Sequence, residues 1–189
     1  PPRSTLFPYT TLFRSKYNIY TKYILGVASV WTASKGLRDF LQLRKILDRD
    51  IEIILIGLTQ NQIKNLPVGI KGISRTENTK DLIELYSGAV AFANPTYVDN
   101  FPSVNIESLA CGTPVVTYCT GGSPETIDPN TGIIVEKGSV LGLKQAINEI
   151  LNSNTRYSQE QCRNRAIMNY SSRDNYLKYL RLYQDILIS

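Results

Sequence analysis

Histidine is absent from all 189 residues, and methionine and tryptophan occur once each. Without an imidazole the chain cannot carry a histidine-based triad or a histidine-ligated metal. Cysteine is sparse, with only Cys111, Cys119 and Cys162. Odd in number and without metal-ligand spacing, they suit buried thiols in a reducing cytoplasm better than a disulfide framework. No apolar run approaches the ~20 residues needed to span a bilayer. No dense run of one charge sign occurs either. The formal net charge of +5 falls by two if Arg3 and Arg14 are set aside. That is too mild a surplus to point to nucleic acid as a partner. Internal repeats and low-complexity tracts are also missing.

What remains is an ordinary globular composition, 42% hydrophobic and 20% charged, long enough for one substantial core. The first residues are an exception. Thr5 to Ser15 reads TLFPYTTLFRS, which one reading frame of a common short-read sequencing adapter encodes. Residues 1–15 are therefore expected to be a scar outside the fold, with few tertiary contacts. On that reading residues 16–189 are the domain, and the natural chain begins upstream. The alternative is a genuine N-terminal strand carrying Leu6, Phe7, Leu12 and Phe13.

From Tyr23 onward, apolar β-type runs alternate with amphipathic helical stretches. Strands are expected over residues 23–30, 51–56, 69–73, 88–93, 115–118 and 132–135. Helices are expected over 36–47, 81–87, 103–111 and 140–151. Thr59 and Gln62 form a capping box for a short helix that must end before Pro67, and Gly112 suits the C′ position of the helix before it. Such alternation predicts an α/β fold, a Rossmann-like parallel sheet with helices on both faces. Sheets of this kind bind ligands at the carboxyl ends of their strands. C-terminal helices follow. Ser158 and Gln161 make a second capping box, and residues 173–187 carry Tyr176, Tyr179, Leu180, Tyr183 and Leu187 along one face. That stripe is expected to pack on protein, the rival being a membrane-surface contact supported by Arg173, Lys178 and Arg181.

Residues 94–125, NPTYVDNFPSVNIESLACGTPVVTYCTGGSPE, concentrate the chemistry. Asp99 and Glu107 stand with seven residues between them. A helix starting near Ser103 would offer free N–H groups to an anion, with Glu107 about one turn inside it. One carboxylate can accept two hydrogen bonds from a vicinal diol such as ribose, and the other can grip a separate sugar. Plain alternatives are that Asp99 caps a turn and Glu107 is solvated. Upstream, WTASKG at residues 31–36 puts Lys35 where a flexible point charge could meet a phosphate. Gly121 and Gly122, before Ser123, Pro124 and Glu125, permit close backbone approach or make a plain turn.

This pattern resembles the C-terminal nucleotide-sugar-binding domain of family 4 glycosyltransferases, which have the two-domain glycosyltransferase-B fold. That family carries an acidic pair at this spacing and a run like EALACGTPVV; here Glu107 to Val116 reads ESLACGTPVV. The resemblance runs from about Leu25 to Val135. It implies that Glu107 binds ribose, that Asp99 replaces the usual Glu at the sugar, and that Lys35 and Gly36 serve the diphosphate. Backbone amides of Asn100, Phe101, Ser103 and Val104 would face sugar and phosphates, whereas Pro102 has no N–H. Gly121 and Gly122 would lie beside the ligand, and residues 73–76 beside the base. Many members carry an Arg five residues before the lysine. Val30 stands there, so Arg75 or a residue of another domain would have to replace it.

The implied parent is a retaining hexosyltransferase of bacterial polysaccharide biosynthesis. It would work in the cytoplasm, with peripheral contact at the inner face of the membrane. Its substrates would be a nucleotide-sugar and a glycan or lipid-linked acceptor, the latter held mostly by an N-terminal domain. Neither a cofactor nor an obligatory metal is implied. Lys35, Asp99 and Glu107 would carry the chemistry of the whole enzyme, and this part alone would be inactive. Two rivals are a sugar-nucleotide 2-epimerase of the same architecture, disfavoured by the lack of histidine, and a non-catalytic nucleotide-binding module.

Overall fold

The computed structural model describes residues 14–153 and 155–188. Strand β1 (Lys22–Val27) leads through a 3-10 turn (Ala33–Lys35) into α1 (Leu37–Ile46). Then follow β2 (Ile51–Ile56), α2 (Gln60–Lys64), β3 (Ile70–Ile73), α3 (Thr79–Gly88) and β4 (Ala91–Asn94). After α4 (Ser103–Ala110) come β5 (Val115–Tyr118), a 3-10 turn (Ser123–Thr126), β6 (Gly132–Val135) and α5 (Val140–Asn152). Helices α6 (Gln159–Tyr170) and α7 (Ser172–Ile188) complete the described chain.

The six strands form one parallel sheet in the order β3-β2-β1-β4-β5-β6. Successive strands first add on one side of β1, and the chain then crosses to its other side with β4. The topological switch point therefore lies between β1 and β4, where diverging loops leave a crevice at the carboxyl edge.

Both sheet faces are buried, which is why the strands read as continuous apolar runs. Side chains alternate between two cores. Ile24, Ile53, Leu55, Val116 and Tyr118 share one with Phe40 and Leu43 of α1 and with Leu143 and Ile147 of α5. Leu25, Ile54, Ile56, Phe92 and Val115 share the other with Leu85 and Tyr86 of α3, Leu109 of α4, and Cys162 and Ala166 of α6. Each fully buried Ile, Leu or Phe contributes about 1.5–3 kcal/mol. Gly26 has no side chain because the Phe40 ring fills its place: a Cβ there would lie 2.7 Å from Phe40 Cζ.

Local signals held well. Both capping boxes form, at Thr59–Gln62 and Ser158–Gln161. Gly112 stands at C′ of α4: its N–H bonds Leu109 O at 2.8 Å, and Thr113 N–H bonds Ser108 O at 2.9 Å. That bond pair is the Schellman closure. Three expectations change. β1 ends at Val27 rather than residue 30, as the chain bends into the 3-10 turn. Asn78 caps α3 through its side chain, so α3 starts earlier and runs through Gly88, leaving β4 only Ala91–Asn94. Cys162 is buried and burial pushes the Cys111 thiol up to about 11, but Cys119 is exposed.

The tyrosine stripe on α7 finds no cover among the described residues; Tyr176, Tyr179, Leu180, Tyr183 and Leu187 are all exposed. Residues 1–13, which hold most of the expected scar, lie outside the described residues. Arg14 is described, with Nη1 donating to Thr21 O at 3.3 Å, and Lys16 pairs with Glu77 at 2.6 Å and Asp81 at 2.7 Å. No helix among the described residues is long and apolar enough to cross a membrane.

Candidate functional site at the switch point

Lys35 closes the 3-10 turn after β1, and Asp99 lies in the loop after β4. They meet across the switch point, Lys35 Nζ standing 2.7 Å from Asp99 Oδ2. The backbone beneath them is joined as well. Ser34 O accepts from Tyr97 N at 2.7 Å and from Thr96 Oγ1 at 3.2 Å. Gly36 adopts φ 74°, and a Cβ there would strike the Pro95 carbonyl. Glycine thus meets two demands at once, a left-handed turn and a close backbone crossing.

Below this junction lies Asp39, in the first turn of α1 and buried. Its carboxylate accepts from Tyr97 Oη at 3.3 Å and from Tyr118 Oη at 3.0 Å. Burial, and then the Asp39 charge, push the Tyr118 phenol far above its ordinary range. A buried carboxylate left without such donors would be costly, so these contacts brace α1 against the loop that carries Asp99.

The third loop follows β5. Gly121 has φ 48°, and a Cβ on it would collide with the Asp99 carbonyl. Gly122 N–H bonds Asn100 O at 2.9 Å, and a Cβ at Gly122 would come within 3.1 Å of Phe101 Cδ2. The two glycines let the loops after β4 and β5 lie backbone to backbone. Phe101 remains partly exposed, with Tyr170 at the end of α6 edge-on to its ring at a centroid distance of 5.9 Å. Tyr170 Oη also donates to Glu125 O at 2.9 Å, so one tyrosine touches both loops.

Helix α4 starts at Ser103, and no side chain caps it, since Pro102 occupies the N-cap. Val104 turns its side chain toward the second core and can offer only backbone outward. Glu107 is exposed. Its Oε1 accepts from Ser103 Oγ and its Oε2 from Tyr86 Oη, both at 3.2 Å. Tyr86 is buried, and that burial, followed by the Glu107 charge, drives its phenol well above the ordinary range. Tyr86 was invisible as a site residue in the sequence, where an aromatic on a helix face reads as core.

A buried polar chain forms the floor. Asn105 Nδ2 donates to Thr126 Oγ1 and Asn105 Oδ1 accepts from Asn94 Nδ2, both at 2.9 Å. Thr126 Oγ1 donates to Ser123 O at 2.7 Å, and Thr117 Oγ1 donates to Asn94 O at 3.1 Å. This chain ties β4, α4 and the turn after Gly122 together. Its one sequence signal is an amide at a core-facing position of α4.

Arg75 stands apart. It is exposed in the loop after β3, on an open depression of about 700 Å³ lined also by Thr76, Glu77, Asn78, Thr79 and Leu82. β3 is two strands from β1. Arg75 is not brought into contact with Lys35 or Asp99. Leu82 lies one helical turn from Tyr86 on α3, so the depression and the Glu107 partner share a helix. Val30, five residues before Lys35, is exposed. The structure thus brings Lys35, Gly36, Asp99, Asn100, Gly121 and Gly122 together, with Phe101, Ser103, Val104 and Glu107 on the adjoining loop and helix.

The family model described as glycosyl transferases group 1 matches residues 10–168. The chain belongs to that family. Among curated relatives, a GDP-mannose-dependent monoacylated alpha-(1-6)-phosphatidylinositol monomannoside mannosyltransferase of Corynebacterium glutamicum is 30% identical over 115 residues, covering 55% of this chain and 30% of that protein. The capsular polysaccharide biosynthesis glycosyltransferase CapM of Staphylococcus aureus is 26% identical over 140 residues, covering 69% of this chain and 37% of CapM. Anabaena HepE, solved in complex with UDP-glucose, superposes with a TM-score of 0.80 at 17% identity, over 95% of this chain and 53% of that one. That likeness shows the fold. The chain spans about a third of these curated relatives and about half of the solved protein.

Proposed function

We propose that residues 16–189 are the nucleotide-sugar-binding half of a retaining family 4 glycosyltransferase, and that residues 1–15 are an adapter-derived scar. The observation that carries the functional reading is the meeting of Lys35 and Asp99 across the switch point, beside the uncapped start of α4 and Glu107. A nucleotide-sugar has parts to match. Lys35 and the N–H groups at the start of α4 suit the diphosphate. Glu107 suits the ribose diol, and Asp99 the sugar hydroxyls. Gly36, Gly121 and Gly122 and the backbone of Asn100, Phe101, Ser103 and Val104 line the approach. The depression at Arg75 and Thr76 suits the base.

Catalysis in the whole enzyme would rest on stabilising the departing diphosphate and an oxocarbenium-like sugar. No obligatory metal or other cofactor belongs to this reading. The acceptor, a glycan or a lipid-linked sugar, is assigned to sequence outside this chain. The work is assigned to the cytoplasm, with peripheral membrane contact. The Corynebacterium relative is named for GDP-mannose and the HepE structure holds UDP-glucose, so those two donors are the first to try. Calorimetric titration of this chain with each should give, for the matching donor, a Kd of about 1 µM–1 mM, the span usual for enzyme KM values. Absence of binding by these and by a wider panel of nucleotide-hexoses would refute the assignment.

A further inference from the structure

We propose that Asp99 makes the sugar a condition for holding the diphosphate, by competing for Lys35 whenever no sugar occupies it. This rests on the reading of the site just given. That reading assigns Lys35 and Asp99 to two different parts of one ligand, yet in this structure the two side chains satisfy each other at 2.7 Å. A nucleotide-sugar therefore enters by exchange. The diphosphate takes Lys35 from Asp99, and sugar hydroxyls take Asp99 from Lys35.

The geometry says which group moves. The Asp99 backbone is wedged against Gly121, and the loops are bonded through Ser34, Thr96 and Tyr97. The aspartate side chain is 17% exposed and hangs on one methylene, while the lysine is 36% exposed on a four-carbon stem. Lys35 swings and Asp99 stays. A nucleoside diphosphate arriving without a sugar would draw the lysine away and leave a mostly covered carboxylate unpaired beside a polyanion. Both the lost pairing and the like-charge contact count against that state. A sugar removes the first penalty by donating hydroxyl hydrogens to Asp99. The sugar thus adds affinity beyond its own contacts, and once it has left, Asp99 reclaims Lys35 and the diphosphate is held weakly.

Asp99→Asn tests this, because it keeps the shape and one acceptor oxygen but removes the charge. Binding of UDP, GDP, UDP-glucose and GDP-mannose to this chain is measured by calorimetry for wild type, Asp99→Asn, Lys35→Met and the double variant. Asp99→Asn is expected to hold the matching nucleoside diphosphate about tenfold tighter than wild type, and to lose most of the preference for the sugar nucleotide. Lys35→Met should weaken the diphosphate about tenfold, and in that background Asp99→Asn should restore less than about threefold. Unchanged or weaker diphosphate binding in folded Asp99→Asn, with wild type binding its sugar nucleotide normally, overturns the exchange and leaves the site reading standing. Should Asp99→Asn fail to fold, undiminished diphosphate binding in Lys35→Met overturns the exchange. Wild type that binds none of the four ligands overturns both.

Discussion

Asn105, Thr117, Ser123 and Thr126 lie at 0% exposure beneath the site loops, whereas Leu187 on α7 is 85% exposed and its tyrosines stand in solvent. The site floor is made of polar groups whose bonds link β4, α4, β5 and the turn after Gly122, and the tail is an amphipathic helix whose tyrosine stripe is exposed. Stability and function are distributed accordingly. In the floor, one amide holds β4, α4 and the turn after Gly122 in a fixed relation. In the tail, many residues fix only their own helix. Size and composition of a segment therefore say little about its weight in the fold; connectivity decides.

The comparison is broken most directly at Asn105. Asn105→Leu keeps the branched heavy-atom skeleton but leaves the Asn94 amide without its acceptor. Urea unfolding should show a loss of about 2–3 kcal/mol, the cost of an unsatisfied buried polar group plus a lost bond. Tyr97→Phe removes one of two hydroxyls on Asp39 and should cost about 1 kcal/mol, since Tyr118 still serves that carboxylate. Ending the chain after Ser171 removes all of α7, yet should change stability by less than about 0.5 kcal/mol, as for surface changes generally. A tail deletion that costs more than Asn105→Leu would reverse the ranking.

Much of this fold was legible because it is written locally. Capping boxes, the Schellman glycine and the alternation of apolar runs depend on neighbours a few residues apart. Sheet order was not, because the crossing from β3 to β4 depends on which helix faces pack together. The same limit applies to the site. Asp99, Glu107, Lys35 and the paired glycines could be picked out by spacing and resemblance. The pairing of Lys35 with Asp99, the Asp39 brace and the Asn105 floor join residues up to 79 positions apart. An aspartate in the first turn of a helix, such as Asp39, reads as a solvated dipole partner until the tyrosines opposite it are seen. Asn78 was missed for a simpler reason, since the polar run preceding α3 offers several residues that could cap it.

The central claim is that the α4 carboxylate grips the nucleotide while Glu125, at the same edge, does not. Glu107→Ala and Glu125→Ala, each checked for folding by circular dichroism, can be titrated with the nucleotide-sugar that wild type binds best. Glu107 is assigned charge-assisted bonds to ribose, each worth about 1.5–3 kcal/mol, so Glu107→Ala should bind roughly ten- to hundredfold more weakly. Glu125, whose observed contacts run through its backbone, should be replaceable with little change. Folded Glu107→Ala protein with wild-type affinity would contradict the account.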